Sequence, residues 1–518
     1  MTRTNPDPKP PSRFRRWMKR LAWGCGGMLT LFVGLIVLLF LFLNRVPKSY
    51  PSATHPMDPP SHQDYVRFAL DGFESPYLGH TGSWDGKGGA MWGGSKVEDL
   101  DKEVAMGLRW TFMPVNWRVL DPDGPVDLSV GIPPAWKALD AFVKEAAKRK
   151  LNILMQAPVV GGNAEGPPVW AGRREEGKSA PRNMEAAAAF AGKLAARYKP
   201  GGILATEQGW GQRFGVRAWE IDNEPEMYRT HWKGQAGDYA EFATKVAAKI
   251  KEADSLAMIL LPGVAAGSNK SKWIEAALDA HGLGGSPWYR DKAIPYSIGP
   301  VADAVSFHVY EGMDSAFSPT PRTVEVVWSE VRELFENWEN RSDGFHYTRK
   351  HEYWHTEGNF DFIGALSEKR RGAWRMQFFT RAFAAGIRKV CVMDASRLEQ
   401  ISIKTYVGAL PWPFPMQRAD HAVKVLSGQV VTYLHKDGLT PEDGQVWILW
   451  AVPGSGDAIV EVPTIQKVAV TLEVDGTKHQ QETTKGLISV KLIGDEKMAP
   501  PTLIVDRPVT RDPSQTSR

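Results

Sequence analysis

Two cysteines, Cys25 and Cys391, are all that 518 residues contain. The first lies in a long apolar run near the N-terminus and the second in a short strand-like run, so no disulfide framework staples the body. Stability must come from a buried core, and the residues beyond position 50 are numerous enough to build one. Cysteine and histidine also never cluster at metal-ligand spacing, and no acidic metal motif occurs. The chemistry is therefore expected to need no metal and no cofactor. A Gly-rich phosphate-binding turn after the first strand-like run is missing too, which weighs against an open dinucleotide-binding sheet.

A basic face is likewise absent from the body. The formal net charge is +4, from 63 Lys/Arg and 59 Asp/Glu. Residues 1–50 hold nine Lys/Arg and only Asp7, which leaves 54 basic and 58 acidic residues beyond them, a net of −4. A nucleic-acid partner, which needs a basic patch on the domain itself, is not expected.

The basic tail has its own explanation. Leu21 to Leu43 is an uncharged, mostly apolar run of 23 residues, long enough to span a bilayer as a helix. Seven Lys/Arg precede it, and only Arg45 and Lys48 follow closely. The positive-inside rule then predicts a cytoplasmic tail (1–20), a single transmembrane helix (21–43) and a body that is periplasmic or extracellular. A cleaved signal peptide is the competing reading, but its apolar core is normally shorter, about 7–15 residues. Residues 44–65, rich in Pro, Ser and His, read as an extended tether.

Beyond the tether a rhythm sets in. Short apolar runs recur near 78, 110, 152, 217, 258, 303, 352 and 389. Between most of them lie segments of helical period, such as "PPAWKALDAFVKEAAKRK" and "RGAWRMQFFTRAFAAGI". Pro133 and Pro134 suit the first turn of the former. Eight strand–helix alternations predict an α/β fold, a (β/α)8 TIM barrel over 66–425. From about 440 the texture becomes short β-rich runs separated by turn residues, which predicts a small all-β domain over 426–510 and a frayed tail over 511–518. "DHAVKVLSGQVVTYL" reads as a helix leading into it. A monomer is expected.

In such a barrel the active site lies at the C-terminal ends of the strands. Few carboxylates fall there. "AWEIDNEPE" puts Glu224 just past the fourth run and "EYWHTEGN" puts Glu357 at the end of the seventh, while Asp222, Glu311 and Asp394 are the other acids near strand ends. Two carboxyls facing each other across a barrel mouth are what glycosidic-bond cleavage requires, one to protonate the leaving oxygen and one to attack the anomeric carbon or activate water. The bland alternative for Glu224 is an acid in the first turn of a helix opened by Pro225. The two readings are compatible, since Pro225 can open a helix while Glu224 faces the mouth.

With those residues in place, the chain resembles the clan A retaining glycoside hydrolases, related to families 5, 30 and 39. The resemblance covers about residues 70–400. It implies that Glu224 is the acid/base, Glu357 the nucleophile, and Asn223 a partner of the sugar 2-hydroxyl. "SFHVYEG" resembles the clan's sixth-strand pattern, implying that His308 and Tyr310 bind sugar and orient the nucleophile. Strand two lacks the family-5 Arg before "PVxW", having Phe112 and Met113, and strand eight ends in "VCVMDAS" without the usual Trp.

Softer candidates for sugar contact are Asn116, Trp117, His80, Trp84 and Trp92 near the first two strand ends. Each is balanced by a packing role. His355 precedes Glu357 by two and shares its face if the strand alternates regularly. The expected activity is that of a membrane-anchored retaining hydrolase acting on a β-linked oligo- or polysaccharide, with a carboxyl separation of about 5–5.5 Å. A transglycosylase using the same residues and a non-catalytic glycan-binding scaffold are the alternatives. The long stretch around 160–215 is the expected cleft wall.

Overall fold

The computed structural model describes residues 28, 30–38, 78–80, 97–161, 166–174, 180–227, 231–232, 234–265, 302–311, 323–339, 351–358, 366–393, 395–410, 415–437 and 444–508. Most of the expected transmembrane helix, the tether, Trp84, Trp92, Asp394 and the last ten residues lie outside the described residues. Among the described residues no helix is long and apolar enough to cross a membrane. Residues 28 and 30–38 are helical, and their apolar side chains are exposed.

All eight apolar runs become strands. They are β1 (Leu78–His80), β2 (Trp110–Asn116), β3 (Asn152–Val159), β4 (Ala218–Glu220), β5 (Met258–Ala265), β6 (Ala304–His308), β7 (Glu352–Glu357) and β8 (Lys389–Val392). They close in sequence order, with β8 pairing in parallel back to β1. Crossover helices pack outside: α1 (Leu100–Ala105), α2 (Pro134–Lys148), α3 (Met184–Tyr198), α4 (Ala236–Ala253), α5 (Val324–Glu339), α6 (Glu368–Ala384) and α7 (Arg397–Ala409). Pro133 caps α2 and Pro134 occupies its first turn, where a missing N–H costs nothing. The expected cleft wall contains α3 and the short helix Ile203–Glu207.

Inside the barrel, inward-facing side chains stack in layers. The lower layers are apolar: Trp110, Leu154, Ala218, Met258, Leu260, Ala304 and Trp354. Trp110 and Trp354 meet edge to face at 5.4 Å, and Lys389 lays its ammonium 4.5 Å from the Trp354 ring. The layer above is polar. Glu220 accepts hydrogen bonds from Ser306, from Thr356 at 3.2 Å and from Gln156 at 3.0 Å. Burial raises its pKa against the pull of His308 and these donors.

The segment expected to be a helix before the β domain is not one. Asp420–Ala422 make a 3-10 turn, and the rest forms β10 (Lys424–Ser427) and β11 (Val430–Lys436), preceded by β9 (Met416–Arg418). The β-branched "VVT" run favours a strand, and Gly428 at φ +75° turns the chain between the two. The remaining strands are β12 (Gln445–Ala451), β13 (Ala458–Pro463), β14 (Val468–Leu472), β15 (Lys478–Glu482), β16 (Leu487–Leu492) and β17 (Thr502–Asp506). They form antiparallel sheets ordered β10-β13-β16 and β15-β14-β17-β12-β11-β9. Helices α6 and α7 carry these sheets through Gln377 donating to the Ala499 carbonyl at 2.7 Å and Ser402 to that of Val474 at 2.9 Å.

Candidate active site

Strand β4 stops at Glu220, and the next residues turn sharply. Asp222 and Glu224 take φ of +64° and +41°, a left-handed conformation that costs a non-glycine residue about 1–2 kcal/mol. Asp222 holds the turn by accepting the backbone N–H groups of Val160 and Gly161 at 3.2 and 3.1 Å. Tyr239 of α4 donates to the Ile221 carbonyl at 2.9 Å. Gly161 gives the turn room, since a Cβ there would sit 3.0 Å from the Asp222 carboxylate and 3.2 Å from the His231 carbonyl, tight enough that a neighbour would have to give. No helix opens at Pro225; the residues around it form turns, and α4 starts only at Ala236. The helix-start expectation for this stretch is therefore corrected.

The turn swings Glu224 over the barrel axis. Its Oε1 lies 2.7 Å from His308 Nδ1, and the same nitrogen lies 3.9 Å from Glu357 Oε2. Tyr310 donates its hydroxyl to Glu357 Oε1 and touches the Met393 sulfur at 3.5 Å. Asn223 Oδ1 accepts from Gln156 at 3.2 Å. One atom each of Glu224, His308 and Glu357 lie within 4.8 Å of one another, and this is the only such trio of potential metal ligands among the described residues. Burial disfavours an imidazolium at His308, but Glu357, Glu224 and Glu220 outweigh it and raise the group to about 10. At neutral pH, Nδ1 thus offers a proton to the carboxylates.

Glu357 reaches the mouth through a register break. Phe307 pairs with His355, yet His308 pairs with Glu357, so one residue of β7 is skipped between them. Such an extra residue re-aims the side chain that follows it. The expected shared face of His355 and Glu357 is thereby lost. His355 is buried in the outer layer, edge-on to Phe307 at 5.9 Å and Phe378 at 4.8 Å. Burial, helped by the nearby positive His308, lowers its pKa to about 3. Gly358 then lets the chain pass the Val309 carbonyl, which a Cβ would approach to 2.0 Å.

Other expectations fall away from the mouth. Trp117 is fully buried, stacked on Phe190 at 5.8 Å and edge-on to Trp170 at 5.5 Å, so no sugar face meets it. Asn116 uses its side-chain oxygen to cap the short helix Trp117–Leu120, accepting from the Arg118 backbone at 3.0 Å. His80 ends β1, and its side chain lies outside what is described. Glu311 is structural: Arg381 grips both its oxygens at 2.7 Å, and Trp374 donates at 2.6 Å. Sequence reading missed His231, whose Nε2 stands 3.5 Å from Glu224 Oε2, and the Glu220 layer. Alternation along "AWEID" was a signal for Glu220; nothing local marked His231.

The buried Asp222 carboxyl gives a pH-dependent consequence. Burial pushes it up to about 7 from 3.8, against the backbone hydrogen bonds it accepts. A folded-state value above the unfolded one means that stability is fullest below about pH 4 and is lost as pH rises through 7. The loss amounts to about 4 kcal/mol. Asp222→Asn keeps the acceptor oxygen and removes the titration. Its melting temperature is expected to gain on the wild type from about pH 4 to pH 7 and to hold that gain above it; parallel curves would refute this.

No protein-family model matches the sequence, and no curated protein aligns with it significantly. Solved structures do share its architecture. CelM2, a bifunctional glucanase-xylanase from a metagenome library, matches with a TM-score of 0.51 and 12% identity over 88% of this chain and 98% of that one. A glucosidase from Croceicoccus marinus matches at 0.51 and 12%, over 89% and 98%. AbfB, a family 51 alpha-L-arabinofuranosidase from Bifidobacterium longum, matches at 0.50 and 11%, over 88% and 98%. The chain has the fold of these glycoside hydrolases, in keeping with the resemblance to clan A that its strand-end motifs carry.

Proposed function

We propose that the protein is a retaining glycoside hydrolase acting on a β-linked glycan, with Glu357 as nucleophile and Glu224 as acid/base. The observation that carries this reading is the pair of carboxylates meeting His308, with one oxygen of each within 4.8 Å of the other. Retaining enzymes hold their carboxyls about 5–5.5 Å apart, whereas inverting ones leave about 6.5–9.5 Å for a water.

In the first step a Glu357 oxygen attacks the anomeric carbon while Glu224 gives its proton to the departing glycosidic oxygen. Tyr310 occupies one oxygen of Glu357 and so directs the other toward the sugar. In the second step Glu224 takes a proton from water, which attacks the glycosyl ester and releases Glu357. Asn223, its oxygen tied to Gln156, keeps its amide N–H groups to donate to the sugar 2-hydroxyl, as the resemblance implies. The apolar run at 21–43 with its basic flank supports a membrane anchor and an extracytoplasmic catalytic body.

The test is the anomer formed first. On a panel of β-linked oligosaccharides and aryl β-glycosides, NMR during early turnover is expected to show the β-anomer of the product before mutarotation. First appearance of the α-anomer would establish inversion instead, and no release from any β-linked substrate would overturn the reading.

A further inference from the structure

Among the described residues, Glu224 is held from two sides, and only one of them belongs to the shared His308 cluster. His308 sits below it, 1% exposed, against Oε1; His231 stands 25% exposed against Oε2. The rim histidine is fixed in place by its neighbours. Its backbone N–H donates to the Met227 carbonyl at 2.8 Å, and its own carbonyl crowds Gly161. Next to it Trp232 is fully buried, donating to the Gln235 carbonyl at 3.1 Å and packing on Tyr239 and Phe242 at 5.3 Å each. A half-buried loop residue is thus anchored by a core tryptophan one position away.

We propose that His231 is a positioning residue for the acid/base, setting the direction of Glu224 Oε2 from the solvent side, where the leaving group departs. This rests on Glu224 acting as the acid/base. With Oε1 committed to His308, Oε2 is the oxygen that passes its proton to the glycosidic oxygen and recovers one from water. An imidazole N–H beside it restrains its rotation about the last side-chain bond. No proton is created or consumed by His231 over the cycle, so the balance of the two steps is unchanged.

The experiment uses the full chain labelled with 15N-histidine, the His231 signals being identified by their loss in His231→Gln. Among the described residues, the titratable groups near His231 besides Glu224 include Asp222, whose carboxylate and the His231 carbonyl both face Gly161, and His308, on the other oxygen of Glu224. In Glu224→Gln the His231 titration midpoint is expected to fall by about one unit, the effect of losing an adjacent carboxylate. An unchanged midpoint overturns the proposal, whatever the protein's activity. Kinetics on aryl glycosides supply the second measure. His231→Ala is expected to lose about tenfold in kcat with a phenol leaving group that needs protonation, and to lose little with dinitrophenol, while His231→Gln restores the former. Equal loss with both leaving groups would mark a merely structural residue. If instead Glu224→Gln is fully active, the acid/base reading itself has failed while the NMR result stands.

Discussion

Glu357→Gln is expected to stop turnover, with kcat falling by about 10^4-fold or more, on the scale seen when an enzyme loses its nucleophile. The amide has the shape of the carboxylate and retains an oxygen for the Tyr310 hydroxyl, so the mouth keeps its form. What disappears is the charge that attacks the anomeric carbon, and an amide oxygen is far too weak a nucleophile to replace it. Binding survives, because a neutral side chain in the same place still admits the sugar. Isothermal titration with an oligosaccharide substrate, alongside stopped assays, checks both halves. Melting temperature serves as a control, since β7 pairing and the Val309 N–H to Glu357 carbonyl bond of 3.1 Å involve backbone only. Full hydrolytic activity in this variant would sink the double-displacement mechanism.

Glu224→Ala should divide the two half-reactions. With a poor leaving group the first step loses its proton donor, and the rate is expected to fall by about 10^2–10^4-fold. A dinitrophenyl glycoside departs without protonation, so its first step proceeds and the glycosyl-enzyme accumulates, visible as a burst of phenol. The second step then lacks its base. Added azide, a nucleophile that needs no deprotonation and fits the space left by the side chain, should restore turnover and give a β-glycosyl azide. His308 loses a partner in this variant but retains Glu357 at 3.9 Å, and the buried Glu220 still favours its charge. Equal loss with good and poor leaving groups, without rescue by azide, would remove Glu224 from the acid/base role.

The barrel was legible because each strand announces itself in the same way, as a short apolar run between helical periods. All eight such runs became strands, and β4 and β7 carried their glutamates to the mouth as placement alone suggested. What alternation could not foresee were the breaks in it. The skipped residue in β7 turned Glu357 inward and left His355 among phenylalanines, and no residue type marks where a ladder slips by one. The left-handed turn after β4 replaced the helix that Pro225 invited, because Asp222 is tied to the β3 loop, a long-range contact. Trp117 misled for a simpler reason: nearness to a strand end says nothing about which side of the wall an indole faces. At 424–436 local β-branching and one glycine outweighed a helical period.

Glu220 hands its carboxyl to side chains from β3, β6 and β7, directly beneath the two glutamates. The floor beneath them is therefore set within the strands, while Glu224 itself is held above that floor by the turn that Asp222 ties to the β3 loop. Under the proposed function, loops other than those after β3 and β4 could diverge or lengthen, changing which glycan enters, without the glutamate pair having to be rebuilt. Substrate range and bond-breaking would then be separable under the proposed function, one written on the outer rim and the other in the strand ends and the turn after β4.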